Sequence, residues 1–265
     1  MKTYYYVHTG HRIGLDRFRR ATTILRALKD TDITLLCSDF RIAHIGKEFG
    51  IQSCVGLDVV RNIPQIALHG DRLIFDSDEA NPIMLEDMRE FFSTFIHINS
   101  GEPIVDEKYY QQKEKTIPIA FFYGDDDYEK DLEQYLPIIK ELDASLLLGF
   151  YYFLDYEDML RENIKNCYDF EDYDEVISSS NILLTASPQA VLENLASGGC
   201  PIYIQREDYT DSFNELFEEL NIPILKTLDM GQVSAVIGSI NENKYYQTKQ
   251  INSKIIEIIK DNLNL

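Results

Sequence analysis

The 265-residue sequence contains no run approaching the ~20 consecutive apolar residues that a helix needs to cross a bilayer. Its start, Met1-Lys2-Thr3-Tyr4-Tyr5-Tyr6-Val7, is too short and too soon interrupted to be a signal peptide, so a cytoplasmic protein is expected. The four cysteines, Cys37, Cys54, Cys167 and Cys200, form no CxxC pair and have no histidine at metal-ligand spacing. A zinc site is therefore not expected, and in a cytosolic chain the simplest reading is buried thiols. The absence of a GxGxxG fingerprint excludes a conventional dinucleotide loop; the acidic clusters at Asp76-Ser77-Asp78-Glu79 and Asp125-Asp126-Asp127 could bind a divalent cation, but their spacing matches no EF-hand loop. Long-period repeats and low-complexity segments are also missing.

Basic residues are scarce where they would matter most. Residues 1–115 carry 15 Lys+Arg against 17 Asp+Glu, whereas the rest of the chain carries 10 against 28. This balance speaks against nucleic acid or an anionic membrane as a partner, since both require basic surface. A nucleotide could still bind the second half through backbone N–H groups at a helix start. For most of the carboxylates a solvated, solubilising face is a sufficient account.

What is present is a globular composition, 45% apolar and 26% charged, in a chain long enough for one large domain or two ordinary ones. Lys2–His8 reads as a strand, residues 9–14 as a loop with two glycines, and Leu15–Asp30 as a helix. Arg12, Arg17, Arg19 and Arg20 crowd that loop and the first helical turns. A cationic cluster at a helix N-terminus opposes the helix dipole, so it points to a phosphate or carboxylate nearby rather than to a solvated face. Ile33–Cys37 is a second strand, Phe40–Phe49 a helix ended by Gly50, and Ile51–Val55 a third strand. Asp71–Asp76 is a buried strand running into Ser77-Asp78-Glu79. Polar residues at the carboxyl ends of parallel strands lie where ligands bind, although Asp78 and Glu79 also suit the start of a helix over Met84–Phe92. Phe95–Asn99 closes the first set.

Ser100–Thr116 is polar, contains Gly101 and Pro103, and reads as an interdomain connection. It divides residues 1–112 from 113–265. Ile117–Tyr123 opens the second series and runs into Gly124-Asp125-Asp126-Asp127, with a helix expected over Tyr128–Lys140. Ser145–Tyr152 reads as a strand, Tyr156–Asn166 as a helix and Asp174–Ser180 as a short helix. Asn181–Thr185 is a strand that meets a turn at Ala186-Ser187-Pro188. A helix opens at Pro188, where the missing N–H costs nothing, stops at Gly198-Gly199, and leads into a strand over Pro201–Ile204. Further elements are a helix over Ser212–Leu220, a strand over Ile222–Leu225, and helices over Val233–Ser239 and Tyr246–Leu263. This alternation predicts an α/β protein of two doubly wound, Rossmann-like domains facing a cleft.

Two motifs resemble a known family. Ile13-Gly14-Leu15-Asp16-Arg17-Phe18-Arg19-Arg20 resembles the Ile-Gly-x-Gly-His-x-x-Arg loop of the UDP-sugar hydrolase in pseudaminic acid biosynthesis. Ser187-Pro188-Gln189-Ala190-Val191-Leu192-Glu193 with Gly199-Cys200-Pro201 resembles that enzyme's Gly-Gly-x-Thr-x-x-Glu…Gly-x-Pro region. The same region occurs in GT-B-type glycosyltransferases such as the peptidoglycan N-acetylglucosaminyltransferase. The resemblance implies two Rossmann-like domains, with a nucleotide sugar, of UDP type, held mainly by the second. It places Ser187 and Gln189 at the phosphate turn, Glu193 on the ribose, and Gln205, Asp208, Thr210 and Asp211 near the donor sugar. Gly14 and Arg20 match their counterparts in the first loop. At the position of the family's water-activating histidine stands Arg17, and arginine stays protonated and is a poor base. Asp76 or His11 would then be the candidate base, with His8 nearby in sequence, and Arg17 or Arg20 would neutralise phosphate. Two functions follow: an enzyme acting on a nucleotide-activated sugar in surface- or flagellar-glycan biosynthesis, or a non-catalytic relative that binds a nucleotide sugar or a protein partner.

Overall fold

A computed structural model of the chain describes residues 1–29, 31–227, 229–240, 251 and 253–264. The chain divides into two compact units, Met1–Ile104 with Asn252–Leu265, and Val105–Ile251.

The first unit alternates β1 (Thr3–Val7), α1 (Asp16–Ala27), β2 (Ile33–Cys37), α2 (Phe40–Ile45), β3 (Cys54–Gly56), α3 (Ile63–Ile66), β4 (Arg72–Asp76), α4 (Pro82–Phe91) and β5 (Thr94–His97). Its five strands are parallel in the order β3-β2-β1-β4-β5. A parallel strand covered on both faces has to be apolar throughout, and all five residues of β1 are buried. Its tyrosines meet that demand by burying their rings and tying their hydroxyls. Tyr6 stacks on its cross-strand partner Phe75 at 5.4 Å between ring centroids. The Tyr5 hydroxyl donates to Asp76 and that of Tyr6 to Glu79.

The second unit contains β6 (Ile117–Phe122), α5 (Leu136–Glu141), β7 (Ser145–Leu147), α6 (Leu154–Asn163), β8 (Cys167–Tyr168), α7 (Tyr173–Ser179), β9 (Ser180–Thr185), α8 (Pro188–Ala196), β10 (Cys200–Ile204), α9 (Asn214–Glu219), β11 (Ile224–Leu225) and α10 (Met230–Ser239). The strands are again parallel, ordered β11-β10-β9-β6-β7-β8. Successive residues serve opposite faces: Phe122 joins a core with Val191, Leu195 and Phe217, while Phe121 joins one with Ile139, Leu160 and Val233. Among the described residues no helix is long and apolar enough to cross a membrane.

Several elements differ from expectation for local reasons. The helix expected over Tyr128–Lys140 is a 3₁₀ turn at Asp131–Tyr135 followed by α5, because Lys130 is left-handed (φ 60°) and Pro137 starts a new helix. The strand expected to reach Tyr152 ends at Leu147 because the chain bends at Gly149, where a Cβ would lie 2.5 Å from the Gly124 carbonyl oxygen. The division between units falls after Ile104 rather than at residue 112. The final helix, α11 (Ile255–Leu263), is counted with the first unit rather than the second. It buries Ile255, Ile259 and Leu263 along one face, and Arg72 Nη1 donates to the Leu263 carbonyl at 2.9 Å. The beginning of the helix expected from Tyr246 lies outside the described residues.

Candidate functional site

In doubly wound parallel sheets, ligands bind outside the carboxyl ends of the strands where the strand order reverses. That point lies between β1 and β4 in the first unit and between β6 and β9 in the second. The relevant loops are therefore 8–14 with 77–81, and 123–127 with 186–187.

In the first unit His8 follows β1 directly, and its backbone N–H donates to the Asp76 carbonyl at 3.2 Å. Its Nδ1 lies 3.6 Å from Glu79 Oε2, and its side chain is 22% exposed. Glu79 is held in place, since the same oxygen accepts from the Tyr6 hydroxyl at 2.6 Å and the Ser77 hydroxyl at 3.0 Å. Burial pushes the His8 pKa below its ordinary 6.5, against the opposing pull of Glu79, with Arg17 pushing the same way as burial. A partly exposed imidazole that is neutral near pH 7, beside a fixed carboxylate, has the requirements of a general base.

The loop closes on itself: the Gly14 N–H donates to Gly10 at 2.9 Å, and Gly14 takes φ +73°, a backbone region that glycine tolerates best. Leu15 precedes α1 and provides no side-chain cap. The arginines find carboxylates within the chain. Arg17 pairs with Asp78, and Arg19 lies 3.8 Å from Asp16. Arg17 Nη1 is buried with no hydrogen-bond partner. Arg20 grips Asp76 through Nε at 3.0 Å and through Nη2, and its Nη1 faces the carbonyls of Asn99, Ser100 and Glu102 at 3.2, 2.9 and 3.1 Å. Asp76 is fully buried and also accepts from Tyr5 at 3.0 Å. Burial alone would lower the Arg20 pKa, but Asp76 reverses this and raises it.

Arg20, expected on a phosphate, and Asp76, expected as a base, are paired with each other and buried. His11 keeps company with Arg41, whose Nη2 lies 3.4 Å from His11 Nε2 and which is anchored on Asp39 at 3.0 Å.

In the second unit Ser187 is the N-cap of α8. Its hydroxyl accepts from the Ala190 N–H at 3.1 Å, and its own N–H donates to Thr185 Oγ1 at 3.1 Å. Gln189 Nε2 donates to Glu193 Oε1 at 2.8 Å, and the Tyr173 hydroxyl to Glu193 Oε2 at 2.7 Å. The structure thus joins Ser187, Gln189 and Glu193 at one helix start, all buried. Beyond β10, Gln205 Nε2 donates to the Arg206 carbonyl at 2.9 Å, and the Thr210 and Ser212 hydroxyls are 3.0 Å apart.

Arg206 is the residue that sequence reasoning missed. It lies over the Tyr123 and Tyr209 rings at 4.6 and 4.4 Å, donates to the Asp126 carbonyl at 2.7 Å, and holds Asp208 bidentately at 2.8 and 2.7 Å. Burial opposes its charge, but the Asp208 hydrogen bonds and neighbouring tyrosines raise its pKa. The available signal was an arginine following an apolar strand, two residues before an aspartate, in an acid-rich half. Asp127 is buried as well and accepts from the N–H groups of Asp131 and Leu132 at 2.8 and 3.0 Å and from the Tyr156 hydroxyl. Burial raises its pKa despite these donors. Among the described residues, no three or more His, Cys, Asp and Glu side chains are grouped to hold a metal ion.

No protein-family model matches the chain, and no curated relative does. Solved structures do resemble it from end to end. Anabaena Alr3699/HepE in complex with UDP-glucose is 10% identical with a TM-score of 0.64, covering 100% of this chain and 99% of that one. The Methanocaldococcus jannaschii UDP-GlcNAc 2-epimerase, in complex with UDP-GlcNAc and UDP, gives 10% identity and a TM-score of 0.60, covering 98% and 100%. MurG of Acinetobacter baumannii gives 11% and 0.55, covering 98% and 99%. At these identities the likeness shows the fold: the chain is an α/β protein of two Rossmann-like units, of the GT-B type.

Proposed function

We propose that the protein binds a nucleotide-activated sugar, of UDP type, and processes it by hydrolysis or glycosyl transfer with His8 as the general base. The observation that carries this reading is the placement of His8: neutral, partly exposed, beside Glu79, at the carboxyl end of β1 where the sheet order reverses. Arg17 is the second residue of α1, has a buried Nη1 with no hydrogen-bond partner, and would meet the negative charge of a diphosphate or leaving group. In the second unit Glu193 would take the ribose hydroxyls, with Ser187 and Gln189 beside the phosphates and Gln205, Asp208 and Thr210 toward the sugar. UDP or UDP-sugar complexes of proteins with this fold support the ligand class. A place in surface- or flagellar-glycan biosynthesis is part of the same proposal, and rests on the resemblance to the pseudaminic acid hydrolase.

A second reading has its own support. The Ala190 N–H at the start of α8 is spent on Ser187, Pro188 has none, and Glu193 is engaged by Tyr173 and Gln189. This self-satisfied helix start suits a relative that binds a nucleotide sugar or a protein partner without turnover.

Thermal stabilisation by UDP, CDP and GDP separates the readings, because a ligand that binds only the native state raises its stability once its concentration exceeds Kd. UDP is expected to raise the melting temperature, and UDP-sugars to release UDP or free sugar. His8→Asn is expected to lower that release by roughly 100- to 10,000-fold while leaving the UDP-induced shift intact. The rate should climb with pH through a His8 pKa lying below 6.5 and level off above it, since only the neutral ring accepts a proton. Stabilisation without release favours the second reading. The absence of any nucleotide-induced shift removes both nucleotide-sugar readings.

A further inference from the structure

Cys37 and Cys54 are 17 residues apart in sequence, yet their sulfurs lie 3.5 Å apart on neighbouring strands β2 and β3. Cys37 is buried, whereas Cys54 is only partly covered. The remaining thiols have other neighbours, with Cys167 Sγ directed to the Ile164 carbonyl at 3.6 Å. Cys37 ends β2, and the next residue, Ser38, grips the candidate-site loop. Its hydroxyl donates to the Thr9 carbonyl at 2.7 Å and accepts from the Thr9 N–H at 2.8 Å, while its N–H donates to Val7 at 3.3 Å.

We propose that Cys37 and Cys54 form a reversible intramolecular disulfide when a hydroperoxide oxidises the protein, and that closure of this bond is transmitted through Ser38 to the Thr9–Gly14 loop. The pair is asymmetric in the way such chemistry needs. The contact between the two sulfurs pushes the Cys54 pKa down against burial, whereas the Cys37 pKa is pushed up by the same contact and by burial. The more exposed sulfur is therefore the better thiolate, and thiolates react with peroxide.

The Cys54 thiolate attacks one peroxide oxygen and the O–O bond breaks. Hydroxide leaves and takes up the thiol proton as water, giving the Cys54 sulfenic acid. The Cys37 sulfur then attacks Cys54 Sγ, the S–O bond breaks, and a second water departs with the Cys37 proton as the S–S bond forms. Two thiols are oxidised by two electrons, and one hydrogen peroxide is reduced to two waters. Contraction from 3.5 Å to a bond of ~2.0 Å must be taken up locally. β3 is a three-residue strand at the sheet edge, but on the α2 side Gly46 already packs so closely that a Cβ there would lie 3.1 Å from Cys54 Cβ. The adjustment therefore falls on β3 and on the carboxyl end of β2.

The test uses the full chain, reduced, then treated with hydrogen peroxide and acid-quenched. Intact mass should fall by two hydrogens and recover with dithiothreitol, and peptide mapping should join the Cys37 and Cys54 peptides. Cys37→Ser should leave Cys54 carrying added oxygen, and Cys54→Ser should abolish the mass loss. Wild-type Cys54 that accumulates oxygen without closing, or a bond that maps to Cys167 or Cys200, overturns the disulfide. Amide hydrogen exchange at Thr9 and Ser38 should differ several-fold between oxidised and reduced wild type, and unchanged exchange overturns the transmission. None of these readouts uses a nucleotide, so their failure leaves the proposed function standing.

Discussion

Arg20 commits its guanidinium to Asp76 and to three carbonyl oxygens, and neither partner is more than a few per cent exposed. A charge pair so deeply buried contributes little net stability over an apolar pair, but removing one member strands the other. Asp76→Asn is therefore expected to destabilise the protein by ~3–5 kcal/mol in urea unfolding, and replacing both residues with leucine should recover much of the loss. If Asp76→Asn instead kept full stability and lost UDP-sugar turnover, Asp76 would belong to the chemistry after all. The same residues explain the arginine excess at the start of α1. Four arginines against a helix dipole demand anions, and Asp16, Asp76 and Asp78 supply three of them from the chain itself.

At the scale of elements, helix α8 shows how a helix start can be satisfied by its own residues. Ser187 caps it, Pro188 removes one donor, and Gln189 with Tyr173 occupies Glu193. Ser187→Ala should cost about 1 kcal/mol in chemical unfolding, with Ser187→Asp retaining most of it, since an aspartate caps equally well. A far larger loss would mean that Ser187 does more than cap.

Elements of this sort were legible in the sequence where punctuation was strong. Ile33–Cys37 is bracketed by Asp32 and Ser38, and α8 by Pro188 and Gly198-Gly199, so their bounds follow from residue chemistry alone. The two-residue β8 carries too little pattern to be read, and the 3₁₀ turn before α5 depends on a left-handed Lys130 that no local preference announces. The site was legible to the same degree. An arginine cluster signalled that anions were needed, but the carboxylate that Arg20 meets comes from 56 residues away, at Asp76, brought there by the pairing of β1 with β4. Arg206 was hidden likewise, because Tyr123 and the Asp126 carbonyl reach it from another loop of the second unit.

At the scale of the molecule, chain order and compact units do not coincide. The second unit ends at Ile251, and α11 completes the first. The reason lies in the helix: Ile255, Ile259 and Leu263 recur at four-residue spacing, so one face must be covered, and it lies beside β5, the strand at one edge of the five-stranded sheet. The Ser253 N–H donates to Pro103 at 3.0 Å and so ties the returning segment to the end of the first unit. Ile259 is fully buried. Ile259→Ala should then cost ~2–5 kcal/mol, and the loss should appear in the first unit despite the residue's place near the C-terminus. Hydrogen exchange would read it directly, through faster exchange in β4 and β5 with β6 and β9 less affected. Acceleration confined to β6 and β9 would assign α11 to the second unit and return the domain boundary to the place that residues 100–116 suggest.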